Sequence, residues 1–351
     1  MELKHDLEPI ITSFLPNLTS FEVVPIQEGL INATFEIKCF DNQLVSTFIL
    51  QKINTTVFEN PDCIQQNIFL VNEHLKAVNY PFDTIELVKN KDGNFTFFYK
   101  KEAWRMMQAI RNSYTIAVVQ NTKQAFEIAA FFGKFHKALS GINATTLKSV
   151  LPDFLNVENR VVAFQLALQQ ASKFRIEIAK NEIEWLLENQ NIPVEWIDLQ
   201  RNNKLPMRII HADPKISNVL FDSETHLPKA IIDWDTLMNG TILYDFADMI
   251  RSYTNTKKED DSDSENVFNS EIYLAITEGF LNETKSFLSD IELKNLHYAP
   301  KVIVYIQAMR FLTDFLNNDV YYQCSFEKQN LFRTINQMNL LKEIIIADFK
   351  S

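Results

Sequence analysis

The sequence predicts an α+β chain of two lobes, a small β-rich one over residues 1–110 and a larger, mainly helical one over residues 111–351. Three observations carry this expectation. The first hundred residues hold short β-branched and aromatic runs broken by turn signals. From about residue 111, apolar residues recur with helical spacing instead. Between the helical stretches, residues 207–235 form a β-like block of two apolar strands around a turn.

In chain order, residues 33–40 and 44–50 read as strands, and Asp41-Asn42-Gln43 suits a hairpin between them. Residues 61–77 read as a helix, with Ile64, Ile68, Val71 and Leu75 on one face and Pro61 near the start. Asp92-Gly93 marks a turn between strands near 84–89 and 94–99, and 103–110 is a further strand. Thr122 is placed to cap a helix with apolar residues at 125, 128, 129, 132, 135 and 139, and Gly141 follows as a stop signal. One long helix is expected over 158–189, and two more over 299–317 and 328–348. The acidic run Thr256 to Asn266 reads as a solvated loop without chemistry. Two lobes imply a cleft, the default place for a ligand.

Composition removes several functions. With 34 basic and 45 acidic residues the net charge is −11, which argues against nucleic-acid or anionic-membrane partners. A few local cations and a metal would still serve a phosphate ligand. The N-terminus carries acids and a proline where a signal peptide needs an apolar stretch, and no uncharged run reaches membrane-spanning length. A soluble, cytoplasmic protein is expected. Cys39, Cys63 and Cys324 form no C-x-x-C pair and read as reduced, buried thiols. Glycine is scarce, 6 of 351 residues, and none are close enough to build a glycine-rich phosphate loop. Any phosphate must be held another way.

The informative stretch runs from Ile209 to Arg251. It contains His211-x-Asp213, then Lys215, Asn218, the apolar pair Val219-Leu220, and Asp233 at the end of Ala230-Ile231-Ile232. Phosphoryl transfer needs a carboxylate to orient the attacking hydroxyl, oxygen ligands for magnesium and a cation near the γ-phosphate. Asp213 supplies the first, Asn218 and Asp233 the ligands, and Lys215 a cation; magnesium needs few protein oxygens. Asp235 lies on the side of Asp233 and is placed to assist through a second metal or water. Taken singly, H-x-D is a turn or a cap, Asn218 a turn residue and Asp233 a strand end. Their joint spacing follows the catalytic loop H-R-D-x-x-x-x-N and the metal-binding Asp of protein kinases, with His211 bracing the loop.

This block is similar to that of the aminoglycoside phosphotransferase and choline kinase group. Within it the block most resembles the N-acetylhexosamine 1-kinase-like proteins, whose pattern is near H-N-D-T-K-x-N-N-V-L-F-D, then I-D-L-D-T-V-M-P-G and Y-D-F-G-D. Gly29 to Phe35, Ile49 to Asn54, Pro152-Asp153-Phe154 and Arg310 to Asp314 fit in order, so the resemblance covers about residues 20–345. Ala212, Pro214, Trp234 and Asn239 depart from the subgroup's Asn, Thr, Leu and Pro, which puts the acceptor's identity in doubt.

The resemblance implies a protein-kinase-like bilobal fold that uses ATP and Mg2+. It makes Asp213 the catalytic base and Asn218 and Asp233 the metal ligands. Gly29, Asn32 and Thr34 would cover the nucleotide. Lys52 would pair the phosphates, held by Glu73, unless the neighbouring register turns Gln51 inward. Arg310 and Tyr321 would contact the acceptor, unless they are a surface and a core residue. Asp245, Asp248 and Arg251 would brace the metal loop. The implied activity is transfer of the γ-phosphoryl group to a sugar hydroxyl, most concretely the anomeric hydroxyl of an N-acetylhexosamine. A cationic acceptor such as choline or an aminoglycoside, and a nucleotide-binding module without catalysis, are the competing readings.

Overall fold

The computed structural model describes residues 2–18, 20–26, 31–41, 44–263 and 267–347. Gly29, the hairpin residues Asn42 and Gln43, and the end of the acidic run lie outside the described residues. The chain forms two compact units. One comprises residues 1–115, 141–152 and 218–239, and the other residues 116–140, 153–217 and 240–351.

The first unit is built on an antiparallel sheet in which Ser20–Ile26, Ala33–Asp41, Leu44–Ile53, Glu102–Gln108 and Leu87–Val88 lie side by side. Phe97–Tyr99 also pairs with Glu102–Gln108. Strand alternation gives this sheet two faces. Ile37, Cys39, Leu50, Trp104 and Met106 pack with Leu7, Ile10, Ile11 and Phe14 of the Glu2–Phe14 helix. That helix is a correction to the strand-and-turn expectation for this region. Its i, i+3, i+4, i+7 apolar stripe buries four large side chains, each worth about 1.5–3 kcal/mol, which offsets the N–H that Pro9 lacks inside it. The Pro61–Ala77 helix is as expected, with Ile64, Ile68, Val71 and Leu75 all buried. Its Asn67 holds Lys148 by two backbone bonds of 2.9 and 2.8 Å, which ties residues 141–152 to this unit. The hairpin Val219–Asp222 and Pro228–Ile231 completes it, joined by Ser113–Tyr114.

The second unit is helical. Ala299–Leu316 packs against Gln329–Ala347, Ile242–Tyr253 and Val157–Gln170, while Thr122–Leu139 packs along Ser270–Thr284. The last pair approaches closely at two glycines. A Cβ on Gly279 would stand 2.3 Å from the Phe126 carbonyl oxygen, and one on Gly133 would stand 2.8 Å from Glu283 Cβ.

Four expectations change here. The cap of the Thr122–Leu139 helix is Asn121, whose Oδ1 accepts from the Gln124 N–H at 2.9 Å. The long helix over 158–189 is three, Val157–Gln170, Lys173–Ile178 and Lys180–Glu188. The break falls where Ala171 and Ser172 become extended and the Ser172 hydroxyl caps the next turn. The acidic run is tied down rather than merely solvated: Glu259 pairs with Arg251 at 3.0 Å and Asp260 accepts from Gln329 at 2.9 Å. Of the cysteines, only Cys39 is buried; Cys63 is half-buried and Cys324 exposed. Among the described residues, no helix is long and apolar enough to cross a membrane.

Candidate active site

Asp213 stands on a loop of the second unit that follows the short strand Arg208–Ile210. The loop is fixed from beneath by the fully buried Asp245 of the Ile242–Tyr253 helix. Its Oδ2 accepts from the His211 N–H at 2.7 Å, and its Oδ1 from the Ala212 N–H at 2.8 Å. His136 Nε2 lies 3.1 Å from the same carboxylate, and the Tyr253 hydroxyl donates to the Pro214 carbonyl. Ala212 takes a left-handed φ of 63°, a conformation that costs about 1–2 kcal/mol outside glycine and turns the chain at Asp213. Asp245 therefore braces the loop bearing Asp213, which corrects its expected place beside the metal loop.

The Asp213 carboxylate meets Lys215 Nζ at 2.9 Å. Burial pushes its pKa up, but Lys215, with His211 and Arg251 behind it, outweighs burial and holds the group below its ordinary 3.8. Asp213 is thus an ionised carboxylate at neutral pH. Asp248 is opposite: burial pushes it up, helped by Asp213 and Asp245, against Arg251 at 2.6 Å.

Asn218 and Asp233 belong to the first unit, at one end of its small hairpin. The Asn218 carbonyl accepts from the Ile232 N–H at 2.9 Å, continuing the Val219–Ile231 register. Asn218 is buried, and Asp233 turns the chain with a left-handed φ of 62°. An amide carbonyl and a carboxylate are both hard oxygens, the kind of donor that magnesium accepts when water and phosphate oxygens complete its shell. Asp235 does not join that set. Its Oδ1 lies 2.6 Å from Arg105 Nη1, and its Oδ2 accepts from Asn32 Nδ2 at 2.7 Å.

The same network settles the strand register. Arg105 Nε and Nη2 donate to Gln51 Oε1 at 2.9 and 2.6 Å, and Gln51 Nε2 donates to Thr34 Oγ1 at 3.1 Å. Gln51 therefore shares its face of the sheet with Arg105 and Thr34. Lys52, on the opposite face, pairs with Glu102 at 3.1 Å. Glu73 does not hold it; that side chain is half-exposed beside Lys76 at 3.3 Å. Asn32 also accepts from the Asn54 N–H at 3.0 Å. Sequence reasoning missed Arg105, whose only sequence signal is a charge inside an otherwise apolar strand.

In the second unit, Arg310 Cζ lies 5.2 Å from the Phe154 ring centroid and 5.8 Å from that of Tyr322. Four residues on, Asp314 accepts from the Tyr321 and Tyr322 N–H groups at 2.8 and 2.9 Å, which fixes that segment. Tyr321 is 61% exposed, so the ring against Arg310 is Tyr322, which sequence reasoning had not singled out. Residues 319–327 line an open concavity of about 560 Å³.

Residues 100–269 match the family described as "Phosphotransferase enzyme family" (APH). The chain carries an APH phosphotransferase-family domain. Solved structures of low identity share the fold of this APH-domain chain over nearly its whole length. A microcompartment-associated aminopropanol kinase is 11% identical, with a TM-score of 0.60 over 97% of this chain and 98% of that one. A spectinomycin phosphotransferase solved with ADP and spectinomycin is 13% identical, with a TM-score of 0.58 over 98% and 97%. Choline kinase from Cryptosporidium parvum Iowa II is 15% identical, with a TM-score of 0.57 over 97% of each chain. The antiparallel-sheet N-terminal region and helical C-terminal region of this APH-domain chain are those of kinase-like proteins.

Proposed function

We propose that this phosphotransferase is an ATP- and magnesium-dependent small-molecule kinase whose acceptor is a sugar hydroxyl, most concretely the anomeric hydroxyl of an N-acetylhexosamine. The observation that carries the reading is an ionised Asp213 on a braced loop, held beside Lys215. Asp213 accepts a hydrogen bond from the attacking hydroxyl, orients it, and takes its proton late. A loose phosphoryl-transfer transition state asks for little nucleophilic push, so a carboxylate of low basicity suffices. Positioning and charge neutralisation supply most of the rate.

Asn218 and Asp233 would hold Mg2+, which would neutralise phosphate charge when bound. Lys215, 2.9 Å from Asp213, would supply a cation for the transferring group. Asn32, Thr34 and Gln51 order the nucleotide-covering side of the first unit. They are linked to the Asp233 loop through Arg105 and Asp235, so one buried network aligns both.

The test is ATP consumption with magnesium across hexoses, N-acetylhexosamines, choline and aminoglycosides, with a chelator control. Turnover on an N-acetylhexosamine, lost with the chelator, is the expected result. Turnover only on choline or an aminoglycoside overturns the sugar assignment and leaves the kinase. Tight nucleotide binding without turnover on any acceptor overturns both.

A further inference from the structure

Side chains of the first unit close into a ring. Thr34, Gln51 and Arg105 lie opposite one another on three adjacent strands. Gln51 Nε2 donates to Thr34 Oγ1 at 3.1 Å, and its Oε1 accepts from Arg105 Nε and Nη2 at 2.9 and 2.6 Å. Arg105 Nη1 then meets Asp235 Oδ1 at 2.6 Å. Asp235 Oδ2 accepts from Asn32 Nδ2 at 2.7 Å, and the backbone through Ala33 returns from Asn32 to Thr34. The orientation of both amides is forced. Arg105 offers Gln51 only donors, and the Asn54 N–H takes Asn32 Oδ1 at 3.0 Å, so Asn32 Nδ2 must face the carboxylate. Asn32, Arg105 and Asp235 are all buried, and a satisfied buried network holds one geometry.

The ring joins two segments with different tasks. Only the buried Trp234 separates Asp235 from Asp233, and the three residues share one tight turn. A shift of Asp235 is therefore a shift of Asp233. Asn32 and Thr34 belong to the other segment, at the start of the Ala33–Asp41 strand. Both Asp235 oxygens are engaged inside the ring, and its one cation and one anion cancel. It offers a phosphate no net charge, so its part is geometric.

We propose that Asp235 and Asn32 are positioning residues that couple the metal to the nucleotide. Their hydrogen bond sets the Asp233 loop and the nucleotide side of the sheet in one arrangement, so that Mg2+ on the first tightens nucleotide on the second. The inference rests on the kinase reading and deepens it. Without this bond Arg105 still holds Asp235, but the residues that begin the Ala33–Asp41 strand lose their direct tie to the Asp233 loop. Coupling of this kind is reciprocal, and a broken link lowers it in both directions.

The experiment is calorimetric titration of the whole protein with a non-hydrolysable ATP analogue, once with Mg2+ and once with a chelator. Wild type should bind about 10- to 100-fold more tightly with the metal. Asn32→Ala should reduce that factor about fivefold or more, while metal-free affinity stays within about threefold of wild type. Because the two residues act through one bond, Asn32→Ala/Asp235→Asn should lose no more of the factor than the larger single loss, within about twofold. Asn32→Ser, which keeps a short polar side chain, replaces Asn32→Ala if that variant does not fold. Equal weakening with and without Mg2+ would make Asn32 a plain nucleotide contact and overturn the inference. A lower thermal midpoint with the metal factor unchanged would make the ring purely structural and overturn it too. Wild type that binds the analogue equally well with and without Mg2+ also overturns it. Failure of wild type to bind the analogue in either condition removes the kinase reading, and this inference with it.

Discussion

Arg105 and Asp235 form an ion pair of 2.6 Å with side chains only 2% and 3% exposed. The pair joins a strand of the sheet to the loop that carries Asp233. Breaking a buried pair strands the surviving charge, so Arg105→Met or Asp235→Asn should cost about 3–5 kcal/mol. The double variant Arg105→Met/Asp235→Leu should recover most of that loss. Urea unfolding of the three proteins checks it, and single variants within about 1 kcal/mol of wild type would contradict it.

Lys52 and Glu102 are each about 40% exposed, so Lys52→Met should change stability by no more than about 1 kcal/mol. Gln51 faces the Arg105 network, and Gln51→Leu should weaken ATP binding more than Lys52→Met does. Calorimetric titration with ATP and magnesium ranks them; the reverse order would assign the phosphates to Lys52.

Lys215 keeps the Asp213 pKa low against burial. A depressed carboxylate pKa stabilises the fold above the unfolded value of 3.8, and that contribution is lost as pH falls through the folded value. In Lys215→Met only His211 and Arg251 are left to oppose burial, so the acid limb of kcat/KM should move to higher pH. A pH–rate profile decides, and an unmoved limb would show that Lys215 does not set the charge of the base.

Gly279 allows two helices to touch, since its Cβ would stand 2.3 Å from a backbone oxygen. Backbone cannot give way as a flexible side chain can, and Gly279→Ala should cost about 3 kcal/mol or more. A thermal midpoint within 2 °C of wild type would contradict the packing described.

Legibility followed distance along the chain. His211, Asp213, Asn218 and Asp233 stand out in the sequence because their spacing is local and apolar strands flank them. The Arg105–Asp235 pair spans 130 positions, and nothing at either residue announces the other. Glu73 was misplaced because the buried face of its helix, through Asn72 and Leu75, turns Glu73 outward to Lys76. The stripe of Leu7, Ile10, Ile11 and Phe14 was present, but Pro9 in its middle disguised the helix.

The central claim is that Asp213 orients the acceptor hydroxyl for phosphoryl transfer. Turnover and nucleotide affinity measured together on Asp213→Asn test it most directly. Asparagine keeps the shape and removes the charge and the proton-accepting oxygen, so kcat should fall by about 10²- to 10⁴-fold, with ATP affinity within about threefold of wild type. A variant that retains kcat while its ATP affinity collapses would contradict the account, because Asp213 would then serve the nucleotide and not the acceptor.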